Sequence, residues 1–194
     1  MMTLRRLSFT LISLFLVGLL SACATPARMS AMIPERSAET TIAERSPLFS
    51  SIRLGSVIGG ESTNPLWTSQ VGNAEFRSAM RSALANHAML ANGLGKFELQ
   101  IHLMGLSQPL LGLDMTVTST AKYDLVNIQT RKSEFTETIV TPYTAKFGDA
   151  FIGTERLRLA NEGSIREIIK SFIQRLIDRS QNLSMRQPRH ASSS

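Results

Sequence analysis

Apolar residues recur along this chain with two different periods, and the changes of period divide it into elements. From Lys96 to Leu106 the alternation is strict. Phe97, Leu99, Ile101 and Leu103 fall on one side, Lys96, Glu98, Gln100 and His102 on the other, which predicts a half-buried strand ended by Pro109. Asp114 to Asn127 repeats the pattern, with Met115, Val117, Ala121, Tyr123 and Leu125 against Thr116, Thr118, Thr120, Lys122 and Asp124. The polar turn Gln129–Lys132 leads into a further strand, Ser133 to Tyr143. Upstream, the β-branched and apolar run Ser51–Ile58, stopped by Gly59 and Gly60, predicts the first strand. Two segments carry the helical period instead. Phe76, Met80, Ala83, Leu84 and His87 follow a candidate N-cap at Asn73 and predict a helix to about Ala91, closed by Asn92 and Gly93. Ile165, Ile168, Ile169, Phe172, Ile173, Leu176 and Ile177 form one stripe of a longer helix, from near Thr154 to near Leu183. The order β-α-β-β-β-α predicts a two-layer α+β sandwich: a mixed, mostly antiparallel four-stranded sheet with two helices on one face.

The two ends do not share these periods. Residues 1–22 begin with Arg5 and Arg6 and no acid, continue with the apolar run Leu7–Leu20, and end on small residues before Cys23. A run of about 14 residues is too short to cross a hydrocarbon core ~30 Å thick, and its flanks are those of an export signal. Leu20-Ser21-Ala22-Cys23 resembles the lipobox of bacterial lipoproteins. That resemblance implies cleavage before Cys23, a diacylglyceryl group on its thiol and an acyl chain on the new amino terminus. Cys23 is the only cysteine, so no internal disulfide competes for it. Ala24 stands where an aspartate often signals inner-membrane retention, so the resemblance implies the outer membrane, periplasmic face. Residues 23–47 have few large apolar side chains and no period, which predicts a flexible tether that lifts the domain off the head groups. Residues 48–184 are then one periplasmic domain, and 185–194 a disordered basic tail.

Charge and candidate chemistry exclude more than they add. The formal charge of +6 includes the signal's two arginines; without them 19 basic residues face 15 acidic ones, a net +4. The basic residues are spread out and form no nucleic-acid platform. His87, His102 and His190 have no neighbours at metal-ligand spacing; His87 reads as a helix residue at the core edge, His102 as a solvated strand residue. Gly55-Ser56-Val57-Ile58 lacks the second glycine of a nucleophile elbow, and Gly55–Gly60 lacks the ending of a phosphate loop. Asp149, Glu155 and Glu162 read as solvated, or paired with Arg156 and Arg158; Arg156, Arg158 and Arg166 read as a solvated helix face. The expectation is a protein with no enzymatic activity, no metal, and no cofactor beyond the lipid on Cys23.

Topology sharpens one point. A helix joins the first two strands, so they run parallel, and the loops leaving the first, second and fourth strands meet at one pole. Those loops hold Leu66 and Trp67; Leu110, Leu111 and Leu113; and Phe147, Phe151 and Ile152. Either these side chains fold inward and seal the end of the sandwich, or they form a surface for an envelope protein or a lipid. Asp114 reads as a cap for the turn after Gly112. A lipobox, a short tether and a β-α-β-β-β-α domain together resemble the YajG-type group of small bacterial lipoproteins. That resemblance implies an envelope location and brings no catalytic motif. The expected role is an accessory or assembly component of an envelope complex, anchored to the membrane by lipid, with acyl-chain binding as the alternative.

Overall fold

The computed structural model describes residues 24–36, 40–63 and 69–186, with the backbone alone at 182–186. The signal region, Cys23, Leu66, Trp67 and residues 187–194 lie outside the described residues. Four strands and two helices follow in the expected order: β1 (Ile52–Ile58), α1 (Asn73–Asn86), β2 (Phe97–Ser107), β3 (Met115–Asn127), β4 (Ser133–Ala145) and α2 (Gly153–Arg186). The sheet order is β1-β2-β3-β4, with β1 parallel to β2 and the remaining pairs antiparallel. The molecule is a two-layer α+β sandwich.

Two boundaries of α1 differ from expectation. Gly72, not Asn73, is the N-cap; the Asn73 side chain instead accepts a hydrogen bond from the Gly60 backbone at 2.7 Å, closing the loop that leaves β1. The helix stops at Asn86, because Ala88 takes a left-handed conformation (φ 58°) and the chain turns to run beside β1. Ile52 donates to the Met89 carbonyl at 3.0 Å and accepts from Ala91 at 2.8 Å, so the apolar residues after His87 serve the sheet's edge.

The main core lies between the helices and the inward residues of β2 and β3. Leu99, Ile101, Leu103, Ala121, Tyr123 and Leu125 meet the whole apolar stripe of α2, and Phe76, Met80 and Leu84 of α1 close the other side. Phe172 is the centre of this packing. Its ring stacks on Tyr123 at a centroid distance of 4.2 Å and meets Phe135 edge-on at 5.9 Å. Burying a side chain of this size contributes ~1.5–3 kcal/mol. The Tyr123 hydroxyl is fully buried without a hydrogen-bond partner, and burial pushes its pKa up, so the phenol stays neutral.

A second, smaller apolar cluster, Met115, Val117, Ala145, Leu157 and Ala160, lies where α2 begins. Between the two clusters runs a buried polar belt. Ser164 of α2 accepts from the Ser119 amide at 2.9 Å and donates to the Thr141 carbonyl at 3.1 Å, while Ser119 donates to the Ser164 carbonyl at 3.1 Å. One turn earlier, Asn161 donates to the Ser69 carbonyl at 2.7 Å and accepts from Gln108 at 2.8 Å. These bonds fix how far α2 slides along the sheet, since displacement would strand several buried polar groups. Gly163 lets the helix approach: a Cβ there would lie 2.2 Å from the Tyr143 ring.

The segment expected to be a free tether is packed onto the domain. Ala24, Ala27, Met32 and Ile42 are buried, and Met29–Met32 form a 3-10 turn against α2. The reason is polar as much as apolar. Arg28 donates to Glu162 through its backbone at 2.8 Å and its side chain at 3.3 Å, and Arg166 donates to the Ala31 carbonyl at 2.8 Å. This strap corrects a second expectation. Arg156 and Arg158 do not lie on a solvated face; both are buried, and Arg166 is half-buried. Arg158 pairs with Glu155 and Glu162, and Glu162 is only 1% exposed.

Three outcomes are expected in chemical denaturation. Phe172→Ala should cost ~3–5 kcal/mol, as deletions of a core aromatic do. Tyr123→Phe should leave stability unchanged or raise it by up to ~1 kcal/mol, because it removes an unpartnered buried hydroxyl; a clear loss would show that the hydroxyl is satisfied. Glu162→Ala should cost on the order of 3 kcal/mol, since it leaves Arg158 buried with one acidic partner instead of two, and should raise amide exchange at residues 27–32 above that of the core strands. The pH dependence has a definite sign. The hydrogen bond from Arg158 holds the Glu155 carboxyl below its ordinary value of 4.5, so its stabilising contribution is present above 4.5 and is lost as pH falls through the lower folded value. Glu155→Gln should therefore flatten the acid limb of a stability–pH curve.

Candidate functional site

The strand registers bring the expected pole together. Ser107 pairs with Thr118 and Met115 with Ala145, so the loop after β2 and the loop after β4 leave the sheet at the same end, where α2 starts. They are tied to each other. The Asp114 carboxylate accepts from the Phe147 amide at 2.9 Å, and Asp149 accepts from the Lys146 amide at 2.8 Å, capping the 3-10 turn Phe147–Asp149. Asp114 thus bridges two loops rather than capping its own turn. Arg156 is the brace beneath. It donates to the Gly112 carbonyl at 3.2 Å and to the Ala150 carbonyl, and its guanidinium lies 5.2 Å from the Phe147 ring centroid. Phe147 meets Phe151 edge-on at 5.6 Å.

On this braced base the apolar side chains point outward. Leu110 is 97% exposed, Leu111 90%, Leu113 74% and Phe151 81%, with Phe147 and Ile152 also exposed. They do not seal the sandwich; Met115, Val117, Ala145, Leu157 and Ala160 do that beneath them. The third loop reaches the same end at Ser69, whose carbonyl accepts from Gln108 at 3.0 Å as well as from Asn161. The opposite pole holds the turn through Thr130 and a small apolar recess of about 210 Å³ lined by Leu48, Phe97, Leu125, Phe135, Leu176 and Arg179. That is below the ~300–1,000 Å³ of ordinary small-molecule pockets.

The titratable groups are committed to structure. His87 is buried, with Nδ1 2.7 Å from the Ala83 carbonyl; His102 is exposed on the outer sheet face; His190 lies outside the described residues. Glu155 and Glu162 are held by Arg158, and Asp149 by a backbone amide. Glu98 faces Arg53 across β1 and β2, its carboxyl held low by the Gln100 amide and by Arg53. Among the described residues no three His, Cys, Asp or Glu side chains converge as metal ligands, and no helix is long and apolar enough to cross a membrane.

Sequence reading missed Arg156 as the brace of the pole, and it missed the node of Thr25, Ser69, Gln108 and Asn161. The Thr25 carbonyl accepts from the Ser69 hydroxyl at 2.8 Å, which brings the start of the strap to the loops. Only the density of polar residues in the first turns of α2, on a helix otherwise striped with isoleucine, hinted at such a role.

No family model matches the sequence, and no curated protein matches it. Solved structures do share its architecture. A Xanthomonas campestris protein of the DUF330 family superposes with a TM-score of 0.51 at 11% identity, over 83% of this chain and 99% of its own. A candidate lipoprotein from Caulobacter crescentus gives 0.49 at 14% identity, over 72% of this chain and 94% of its own. A minor lipoprotein from Acinetobacter baumannii gives 0.42 at 10% identity, over 66% and 91%. At these identities the likeness is one of fold, and it rests on the Xanthomonas comparison.

Proposed function

We propose that this chain is a lipid-anchored lipoprotein of the YajG-type kind, held through Cys23 at the periplasmic face of the outer membrane. Its role is that of a non-catalytic accessory or assembly component of an envelope complex, and its working surface is the apolar pole. The observation that supports this most is the outward display of Leu110, Leu111, Leu113 and Phe151 on loops braced by Arg156 and Asp114. Large apolar side chains exposed together oppose the hydrophobic effect unless something covers them, and here the polar contacts of Asp114 and Arg156 hold them out. Acyl-chain enclosure is the weaker alternative, because the pole's side chains stand outward, the recess at the far end is small, and the larger cleft of about 840 Å³ between the strap and α2 is lined by Glu35, Arg36, Arg166, Glu167 and Lys170.

Photo-crosslinking in native membranes tests the surface. A probe at Leu111 or Phe151 should give a specific adduct with an envelope component, and one at Thr130 should not. Leu111→Glu should abolish function while changing stability by less than ~0.5 kcal/mol, as expected of an exposed position. A folded, lipidated protein that gives no adduct from either pole probe would sink the proposal.

A further inference from the structure

The strap shows where the anchor leaves the domain. As the numbering falls along it, its partners on α2 climb toward the helix start. Ala31 meets Arg166, Arg28 meets Glu162, and Thr25 meets Ser69, which is itself held by Asn161. Ala24, the first described residue of the strap and the neighbour of Cys23 in sequence, is buried. At a rise of ~1.5 Å per residue, Asn161 lies roughly 12 Å along α2 from Gly153, the end that carries the pole. From the other side, Ser69 is bonded to Gln108, and Leu110 is two residues further on, ~7 Å at full extension. The described start of the strap and the exposed apolar loops therefore lie toward the same end of the domain.

From this juxtaposition we infer that the occupant of the apolar pole is the bilayer that carries the anchor: the loops seat in the boundary between head groups and acyl chains beside the lipidated Cys23. The inference rests on the reading of Cys23 as lipidated and of the pole as the working surface, and it adds which partner the pole meets. The chemistry of the pole suits that seat. Leucine and phenylalanine are side chains that insert at such a boundary, ~5–10 Å deep. The two acids of these loops, Asp114 and Asp149, are exposed and each accepts from a backbone amide, so their carboxylates belong at the level of the head groups. Exposed Lys146 stands beside them for anionic head groups. Because the strap is held at Thr25, Arg28 and Ala31, the domain sits down on the membrane rather than hanging from a leash.

The test uses the mature, lipidated protein. Lipid occupies the thiol of the only native cysteine, so Leu111→Cys, Phe151→Cys and the control Thr130→Cys each offer a single free thiol for a nitroxide label. In phosphatidylethanolamine–phosphatidylglycerol vesicles, labels at 111 and 151 should collide with a water-soluble nickel chelate at least about threefold less than the label at 130, and more often with oxygen, as burial ~5–10 Å into the interface requires. All three sites are exposed loop positions, and unchanged thermal unfolding of the labelled proteins establishes that they are folded. Pole labels open to the chelate in vesicles but shielded in native membranes would overturn the bilayer inference and leave a protein-contact surface standing. Pole labels open to the chelate in both would overturn the inference and the proposed working surface together.

Discussion

Glu162 carries a negative charge into a place with almost no water. A carboxylate there is tolerable only if cations and hydrogen-bond donors replace its hydration, and three donors do so: Arg158 from the same helix, and the backbone and side chain of Arg28 from the strap. Each donor is committed in turn. Arg158 also holds Glu155, and Arg28 belongs to a segment whose Thr25 meets Ser69, which Asn161 and Gln108 hold. The backbones of the strap and α2 thus join the ion cluster, the Ser69 node and the Ser164–Ser119–Thr141 bonds into one polar layer between the strap, the helix and the sheet. It separates the main core from the small cluster under the pole, and it sets how the pole stands relative to everything below. An apolar interface of similar area would bind as well but would tolerate sliding; directed buried hydrogen bonds do not.

The strands and helices were legible because each has one buried and one solvated face. The alternation in β2 and β3 and the isoleucine stripe of α2 are direct images of the two-layer packing. The strap was not legible for the converse reason. Ala24, Ala27, Met32 and Ile42 dock at irregular intervals, so no period marks them, and a docked coil reads like a free one. Arg156 and Arg158 were misjudged for the same cause: they are buried by the strap and the pole loops, which α2's own periodicity cannot reveal. α1 was read too long because Met89 and Leu90 continue its apolar character while serving the edge of β1.

The site was partly legible, and through topology rather than through any motif. A parallel first pair followed by two antiparallel strands sends the loops to one end, so the clustering of Leu110, Leu111, Leu113, Phe147 and Phe151 was a consequence of strand order. Whether those side chains turn in or out depends on what already fills the end of the sandwich. Met115, Val117, Ala145, Leu157 and Ala160 fill it, and Arg156 and Asp114 then fix the loops above them with the apolar groups outward. That outcome depends on side-chain volumes at contacts far apart in sequence, which no local pattern encodes.

An anchor on a long coil would leave the domain free to present any face to the membrane. Here Ala31, Arg28 and Thr25 of the strap are held by α2 and Ser69, so an anchor at Cys23, as proposed, would constrain the same end of the domain as the apolar loops. With that end at the membrane, α2 leads away from it. Its 34 residues span roughly 51 Å at 1.5 Å per residue, which carries its carboxyl end and the turn through Thr130 toward the far side of the domain. The polar outer face of the sheet, with Thr116, Thr118, Thr120 and Lys122, then stands upright along that height. On that arrangement this face would stand at a fixed distance and orientation from the bilayer. The buried charge at Glu162 binds the strap to α2, and on the proposed anchoring that contact is what makes the geometry possible.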